Sequence, residues 1–261
     1  MNNLRKEHGF IDKFKVWFGN DSVIVFTMGK VGTLTICNSL DRVNIKHVHP
    51  HSLRYTQPGI HFLKNVNLSF LRKIFYFYKT ISKRLKVKLW LGLSKEIIII
   101  TGVRDPFSRA ISAFFEQSHY LGIDPDNMDY QKIYKEFLNY YDLEGTANWF
   151  DNEINETFNI DIYLEKFDRE RGFQVINKGK VRVFIYRIDK LNSLEKELQL
   201  FIGNKKMVLE STNITNPSAN YTTLKSQYLY STKEFESISK TRYLQHFYTS
   251  EEIGSLKKRW T

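Results

Sequence analysis

The chain has 261 residues, 42% hydrophobic and 15% aromatic, a composition that excludes a disordered protein and is sufficient for one α/β core. Its single cysteine, Cys37, excludes an intrachain disulfide framework, predicts a reducing compartment and is expected to be a small core residue. The formal net charge of +11 favours a polyanionic partner: an acidic glycan, a nucleic acid or a membrane of anionic lipids.

Short apolar runs alternate with amphipathic stretches along the first part of the chain. Strands are predicted over 23–26, 43–48 and 96–101, and helices over 34–40 and 70–89. The run of four isoleucines at 97–100 is typical of a central parallel strand that is covered on both faces. The next helix is predicted to begin at Pro106, with Asp105 as its N-cap.

The remainder of the chain is predicted to contain further helices and one β-hairpin. The helices lie over 130–140, 146–158, 191–201, 221–230 and 250–260, the last opened by Ser250. The hairpin pairs 173–176 with 181–186 across a turn that contains Gly179. No repeat, low-complexity tract or clear linker interrupts this order, so we expect a single domain over 1–261, with a core over about 22–260.

The positive charge is concentrated in one segment. Residues 42–95 contain twelve Lys and Arg and no Asp or Glu, so this segment carries +12 and the rest of the chain −1. It includes the basic amphipathic helix predicted over 70–89 and the whole of an insertion predicted over about 50–95. We expect one of three roles for that helix: a solvated surface helix, a surface for an acidic acceptor, or a peripheral contact with an anionic membrane.

The sequence lacks the usual signals for secretion, membrane insertion and metal binding. Its first residues contain no continuous apolar stretch of signal-peptide type, and no uncharged apolar stretch is long enough to span a bilayer. Apart from a run of histidines at 47–51, no Cys/His cluster has zinc-ligand spacing, so no metal is expected. We therefore expect a cytoplasmic protein, either free or held peripherally at the inner face of a membrane.

A glycine-containing turn follows the first predicted strand, at 26–33. Gly29 and Gly32 allow positive φ and a close approach of the backbone to a ligand, and Thr33 offers a hydroxyl at the start of the next helix. The turn is not a Walker P-loop, because Lys30 precedes Gly32 instead of following it. It is suited either to a phosphate group or to an ordinary strand-to-helix connection with an exposed lysine.

A second strand–turn–helix connection follows the central strand. Arg104 leaves the strand end, and Ser108 and Ser112 lie one turn apart on one face of the next helix. Arg104 and these hydroxyls are expected to meet one anion, unless Arg104 pairs with Asp105 or Glu116 as a structural ion pair. Two such turns in one domain predict a ligand with two separated phosphate groups.

These two turns resemble the cofactor signatures of sulfotransferases that use 3′-phosphoadenosine 5′-phosphosulfate (PAPS). The sequence at 30–35 is Lys-Val-Gly-Thr-Leu-Thr, and the sequence at 104–114 is similar to that of Golgi carbohydrate sulfotransferases. The chain also resembles a bacterial family of capsular polysaccharide synthesis proteins over roughly 22–260, with later features at 148–151, 160–163, 166–168 and 247–248. The resemblance implies a three-layer, P-loop-like sulfotransferase fold with a central, mainly parallel sheet flanked by helices.

The same resemblance assigns the cofactor contacts. It places the 5′-phosphosulfate on Lys30, Val31, Gly32, Thr33, Leu34 and Thr35, and the 3′-phosphate on Arg104 and Ser112. Leu34 departs from the pattern, because relatives have a small hydroxyl residue there, so one side-chain contact to the 5′-phosphate would be missing. No motif places the residues that contact the adenine, and Lys225 and Tyr228, in the late Tyr/Lys-rich segment, are named only as candidates outside the resemblance. The resemblance implies that no metal is needed for sulfuryl transfer.

The transfer requires a base for the acceptor hydroxyl, and histidine suits this role best at neutral pH. The histidines at 47, 49 and 51 resemble the His-x-His of heparan sulfate 2-O-sulfotransferases, whose second histidine is the base. Both registers match, so the resemblance implies His49 or His51 as the base. The alternatives are a metal-binding run of histidines or a solvated one. Lys30 would stabilise the charge that develops on the bridging oxygen of the leaving phosphate.

The leading hypothesis is a PAPS-dependent sulfotransferase that acts on a hydroxyl of a cell-surface or capsular glycan or glycolipid. Its acceptor is expected to be acidic or lipid-linked, and nucleic acid is not expected as a partner. One alternative is a nucleotide-dependent phosphotransferase, which would use magnesium and normally a Walker motif. The other is a non-catalytic polyanion-binding protein, which explains the basic segment but not the two turns.

Overall fold

The computed structural model describes residues 21–53, 91–118, 122–125, 127–210 and 218–261, together with single positions between 78 and 89. Most of the predicted insertion over 50–95, including the start of its amphipathic helix at 70–77, lies outside the described residues. Within the described part of the chain, no helix is long and apolar enough to cross a bilayer.

A five-stranded sheet forms the centre of the described structure. Its strands are β1 (Asp21–Val25), β2 (His47–Val48), β3 (Glu96–Val103), β4 (Phe173–Lys178) and β5 (Val181–Arg187). The strand order is β2-β1-β3-β5-β4, and all neighbours are parallel except the antiparallel pair β4 and β5. The predicted central position of β3 and the predicted hairpin, with Gly179 in its turn, are both confirmed.

Helices connect and follow these strands. In chain order they are α1 (Thr33–Arg42), α2 (Pro106–Gln117), α3 (Tyr130–Tyr140), α4 (Leu143–Ala147), α5 (Glu156–Phe158), α6 (Glu195–Ile202), α7 (Ala219–Gln227), α8 (Thr232–Ser239), α9 (Arg242–Phe247) and α10 (Ser250–Trp260). A π-helix (Phe150–Asn155) and two 3₁₀ helices (Ile162–Leu164 and Ile188–Ser193) are also present. The helix predicted over 130–140 and the N-cap predicted at Asp105 are confirmed.

Helices cover both faces of the sheet. On one face, Ile98 of β3 belongs to a core cluster with Ile36 of α1 and Leu198 of α6. On the other face, Ile99 of β3 belongs to a larger cluster with Phe107 of α2 and with residues of α7–α10. Because alternate residues of a strand face opposite sides, burial on both sides explains the continuous apolar run of β3. The protein is thus a mixed α/β structure with a mostly parallel sheet flanked by helices.

Two predicted elements are corrected before residue 160. The strand predicted over 43–48 is wrong in its first four residues, because α1 continues to Arg42 and Asn44 takes a left-handed φ of 56°. The single helix predicted over 146–158 is divided into the end of α4, the π-helix and α5. Long-range hydrogen bonds to Glu153 in the π-helix outweigh the local preference for a regular helix there.

Three later helices differ from prediction at their ends. The helix predicted over 191–201 begins as a 3₁₀ helix and continues as α6. The helix predicted over 221–230 ends at Gln227, because Tyr228 takes an extended conformation and packs in the core. The last helix is capped by Thr249 in a capping box, whereas Ser250 is its first helical residue.

Candidate functional site

The turn after β1 has a left-handed backbone at three positions. Gly29, Lys30 and Gly32 have φ of 80°, 61° and 81°, and Gly32 is the N-cap of α1 without a side-chain cap. A Cβ atom on Gly32 would lie 2.8 Å from Cδ2 of Leu191, so glycine is required there by both conformation and space. The turn therefore leads directly into an uncapped helix N-terminus, which presents backbone N–H groups.

The carbonyl oxygens of this turn are held by side chains from distant parts of the chain. Four side chains each donate a hydrogen bond to one carbonyl oxygen. His51 Nδ1 donates to Thr27 (2.9 Å), Arg109 Nη2 to Met28 (2.5 Å), Arg104 Nη1 to Lys30 (3.1 Å) and Tyr186 Oη to Val31 (2.8 Å). Among the described residues, no hydrogen bond uses a backbone N–H of 29–35 as its donor. The acceptors of the turn are thus engaged within the protein, whereas its donors remain for an anion.

Tyr186 supports the turn from inside the sheet. Its ring lies across Gly102 of β3, where a Cβ atom would be 2.7 Å from the ring carbon Cζ. Burial raises the pKa of Tyr186, so its hydroxyl stays protonated and donates to the carbonyl oxygen of Val31. Sequence reasoning missed Tyr186, because the strand was predicted to end at residue 101, before Gly102, where the close approach occurs.

Arg104 joins the second turn to the first. Its Nε donates to Ser108 Oγ at 3.3 Å, and its Nη1 donates to the carbonyl oxygen of Lys30. The hydroxyl of Tyr243 holds its backbone, since it accepts from the Arg104 amide at 3.2 Å and donates to the Arg104 carbonyl at 2.8 Å. Within the described part of the chain, Nη2 of Arg104 makes no hydrogen bond. The guanidinium is therefore fixed between the turns with one terminal nitrogen left for a ligand.

Polar residues of α2 line the side of the helix that faces Lys30. Ser108 Oγ is oriented by the N-cap carboxylate of Asp105, which also accepts from the Ser108 amide at 2.8 Å. Glu116 lies two turns further along, and its carboxylate is 3.6 Å from Lys30 Nζ. Ser112 lies between them and is buried. Glu116 thus pairs with Lys30 and not with Arg104, and Arg104 is bonded to Ser108 and not directly to Ser112.

Arg109 is a second arginine at the first turn that sequence reasoning did not single out. Its Nη1 donates to Thr146 Oγ1 at 2.9 Å, and its Nη2 donates to the carbonyl oxygen of Met28. Its Nε is buried and has no hydrogen-bond partner among the described residues. Burial lowers the pKa of Arg109, and the nearby charge of Arg104 lowers it further. The two arginines, together with Lys30, make this end of the sheet strongly positive.

The three histidines separate into one residue at the sheet edge and a pair at the first turn. Nδ1 of His47 is 3.3 Å from the carbonyl oxygen of Ile45 and 3.7 Å from the carboxylate of Asp41. The rings of His49 and His51 meet edge to face, with 4.4 Å between their centroids. The structure therefore brings together the second of the two candidate pairs and leaves His47 apart.

His51 lies directly against the first turn. Its Nδ1 bonds the carbonyl oxygen of Thr27, and because a carbonyl oxygen only accepts, Nδ1 carries a hydrogen, which in the neutral ring leaves the lone pair on Nε2. A Cβ atom on Gly29 would lie 3.6 Å from Cε1 of His51, so ring and turn are neighbours. A histidine whose ring is held in this way beside the turn is suited to act as a general base.

The π-helix holds the loop that carries this histidine. Trp149 Nε1 donates to the carbonyl oxygen of His51 at 3.3 Å. The buried carboxylate of Glu153 accepts from Ser52 Oγ at 2.6 Å and from the amide of Leu53 at 2.8 Å. Sequence reasoning missed Glu153, because its two donors lie about one hundred positions away in the chain.

The candidate adenine contacts lie in an aromatic region. Tyr228 is buried, and its ring packs edge to face against Phe137 with 4.8 Å between centroids. Nζ of Lys225 lies 5.7 Å from the centroid of the Tyr221 ring. Tyr228 is therefore a core residue in this structure. Across the described residues, no three His, Cys, Asp or Glu side chains form a group that would hold a metal ion.

One family model matches the chain. Residues 128–249 match a family described as "Putative capsular polysaccharide synthesis protein". The matched part contains Trp149, Glu153 and Tyr243, which support the site, whereas Lys30 and Arg104 lie before it. No curated protein and no solved structure matches the chain.

Proposed function

We propose that this protein is a PAPS-dependent carbohydrate sulfotransferase with a P-loop-like sulfotransferase fold. It would move a sulfuryl group from PAPS to a hydroxyl of a cell-surface or capsular glycan or glycolipid. The observation that carries the proposal is the hydrogen bond from Arg104 to the carbonyl oxygen of Lys30, because it joins two anion-type turns into one site. A nucleotide with phosphate groups on both its 3′ and 5′ positions would place one phosphate group at each of the two turns.

The donors present at the two turns fit such a ligand. The N–H groups of residues 30–35 and the ammonium of Lys30 would hold the 5′-phosphosulfate. Nη2 of Arg104, with the hydroxyl of Ser112, would hold the 3′-phosphate. The carboxylate nearest to Arg104, that of Asp105, is engaged as the cap of α2 and in orienting Ser108.

When bound, PAPS supplies a sulfuryl group on a good leaving group. His51 would take the proton of the acceptor hydroxyl on Nε2 as the new bond from oxygen to sulfur forms. Lys30 would stabilise the negative charge on the phosphate oxygen as its bond to sulfur breaks. His51 is preferred to His49 because its hydrogen bond to Thr27 fixes both its tautomer and its place beside the turn.

The proposed acceptor follows from charge and from the family description. The family model names capsular polysaccharide synthesis, and the +12 segment over 42–95 would attract an acidic or lipid-linked glycan. We place the reaction in the cytoplasm, where a lone thiol such as Cys37 stays reduced. A metal ion and a nucleic acid are not part of the proposal.

Transfer from radiolabelled PAPS tests the function directly. The purified protein is incubated with labelled PAPS and capsular glycans, and label in the glycan is measured for the wild type, His51→Ala and the control His47→Ala. We expect transfer by the wild type and the control and loss in His51→Ala. Transfer of γ-phosphate from ATP and magnesium, with none from PAPS, would show that the protein is a phosphotransferase instead.

A further inference from the structure

An exposed apolar stripe follows the helical residues before β3. Positions 78, 81, 82, 85, 87–89 and 91–93 are helical. The stripe consists of four large side chains with these exposed fractions: Tyr78 73%, Leu85 55%, Leu89 45% and Leu93 63%. The three leucines are spaced by four residues, the spacing of side chains that share one face of a helix.

A neighbouring side chain anchors this part of the chain in the protein. Val87 is 1% exposed and belongs to the larger core cluster, whereas the residues of the stripe are not part of that cluster. Tyr78 and Leu85, apolar residues of the amphipathic helix predicted over 70–89, are therefore directed outward. Contiguous exposed apolar side chains of this kind mark a contact surface.

Positive charges surround the stripe. Lys88 and Lys95 are exposed, and Lys180, in the turn of the β4–β5 hairpin, donates to the carbonyl oxygen of Leu91. None of these three lysines forms an ion pair with a carboxylate in the described part of the chain. The sequence from 42 to 95 contributes no acidic residue that would neutralise them.

We propose that the stripe docks this protein on the surface of an anionic lipid bilayer. The leucines would enter the boundary between headgroups and acyl chains, while the lysines reach lipid phosphates with their ammonium groups. A second copy of the chain fits less well, because it would bring two uncompensated groups of lysines together, and lysine is depleted in protein–protein interfaces. The proposal goes beyond the sulfotransferase function and does not depend on it.

Docking through the stripe leaves the candidate site open. Leu93 lies before the amino end of β3, whereas Arg104 follows its carboxyl end, and an eight-residue strand of about 25 Å separates them. A bilayer in contact with the stripe would hold the protein at the membrane while the two turns stay accessible. Such a position suits an acceptor that is itself carried on a lipid.

Vesicle binding tests the proposal with a matched control. The protein is sedimented with vesicles of phosphatidylcholine alone or of phosphatidylcholine mixed with phosphatidylglycerol. The stripe variant is Leu85→Ser/Leu89→Ser/Leu93→Ser, and the control variant changes three exposed leucines elsewhere, Leu164→Ser/Leu200→Ser/Leu229→Ser. We expect binding to the mixed vesicles only, a loss of about tenfold or more in the stripe variant, and wild-type binding in the control.

A second measurement tests the proposal even if the stripe variant does not fold. In a Cys37→Ser background, a nitroxide on Leu93→Cys is expected to be protected from a water-soluble relaxant by mixed vesicles, whereas one on Leu200→Cys is not. No binding of the wild type to mixed vesicles, equal binding of the stripe variant, or equal exposure of the two labels would overturn the proposal. A wild-type dimer that the stripe variant abolishes, without vesicle binding, would identify a self-interface instead. Since no PAPS is used, these outcomes do not depend on the outcome of the transfer assay.

Discussion

The guanidinium of Arg104 donates a hydrogen bond to the carbonyl oxygen of Lys30 over 3.1 Å, although the residues are 74 positions apart in the chain. Each follows one of two neighbouring parallel strands, β3 and β1, so both turns lie at the same edge of the sheet. In open α/β sheets, ligands bind at this edge, outside the carboxyl ends of the strands. The bond therefore makes the two turns parts of one site.

Glu116 is predicted to compete with an anionic ligand for Lys30. The carboxylate is half exposed and lies 3.6 Å from Lys30 Nζ, so Glu116→Gln removes both a competing partner and a repelling charge. We expect adenosine 3′,5′-bisphosphate to bind up to about fivefold more tightly, because such exposed pairs contribute about 0.2–1 kcal/mol. Isothermal titration calorimetry gives the Kd. The control Glu144→Gln, on the exposed side of α4, should leave it unchanged, and weaker binding by Glu116→Gln would contradict the prediction.

Glu153 is predicted to position the loop of His51 without contacting the nucleotide. Glu153→Ala leaves the hydroxyl of Ser52 and the amide of Leu53 without their acceptor, which should lower the free energy of unfolding by about 1–3 kcal/mol. We expect kcat for transfer to fall while the Kd of the bisphosphate stays constant, since Ser52 and Leu53, which donate to Glu153, lie outside both turns. Denaturant unfolding, calorimetry and the transfer assay check these three values. Equal losses in kcat and in nucleotide affinity would mean that Glu153 supports the whole site.

His246 is predicted to make folding stability depend on pH. Burial, with the charges of Arg169 and Arg242, lowers the pKa of His246 to about 4, whereas an unfolded histidine titrates near 6.5. Between these values the unfolded chain binds more protons, so stability falls as the pH falls through this window. In His246→Gln, the drop in Tm from about pH 7 to about pH 5 should be smaller than in the wild type. An unchanged drop would show that His246 does not carry this dependence.

The elements that could be predicted are those specified by a few consecutive residues. The isoleucine run predicts β3, and Asp105-Pro106 predicts the start of α2; both elements are present in the structure. The separation of His47 from the pair of His49 and His51 could not be predicted, because β2 pairs over two residues only. The number of residues that pair depends on the partner strand, so it cannot be predicted from the sequence of β2 alone.

Long-range contacts explain what was missed at the site. Arg109, Tyr186 and Glu153 are ordinary residue types whose roles come from hydrogen bonds to partners far away in sequence. The positions of Lys30 and Arg104 in strand-to-helix turns could be predicted, but their direct contact depends on the placement of β1 beside β3. The outward orientation of the apolar side chains before β3 could not be predicted from the sequence either. An apolar stripe on a helix predicts burial, unless another side chain of the helix packs in the core instead.

The central claim is that the two turns bind the two phosphate ends of one nucleotide, and a pair of ligands separates their roles. Calorimetry compares adenosine 3′,5′-bisphosphate with adenosine 5′-monophosphate for the wild type, Arg104→Ala, Lys30→Ala and the control Arg171→Ala, an exposed arginine paired with Glu197. We expect Arg104→Ala to weaken the bisphosphate roughly 10- to 100-fold, since hydrogen bonds to charged groups contribute about 1.5–3 kcal/mol. The monophosphate should be unaffected by that change, whereas Lys30→Ala should weaken both ligands. Equal weakening of both ligands by Arg104→Ala, or no binding of the bisphosphate to the wild type, would contradict the account.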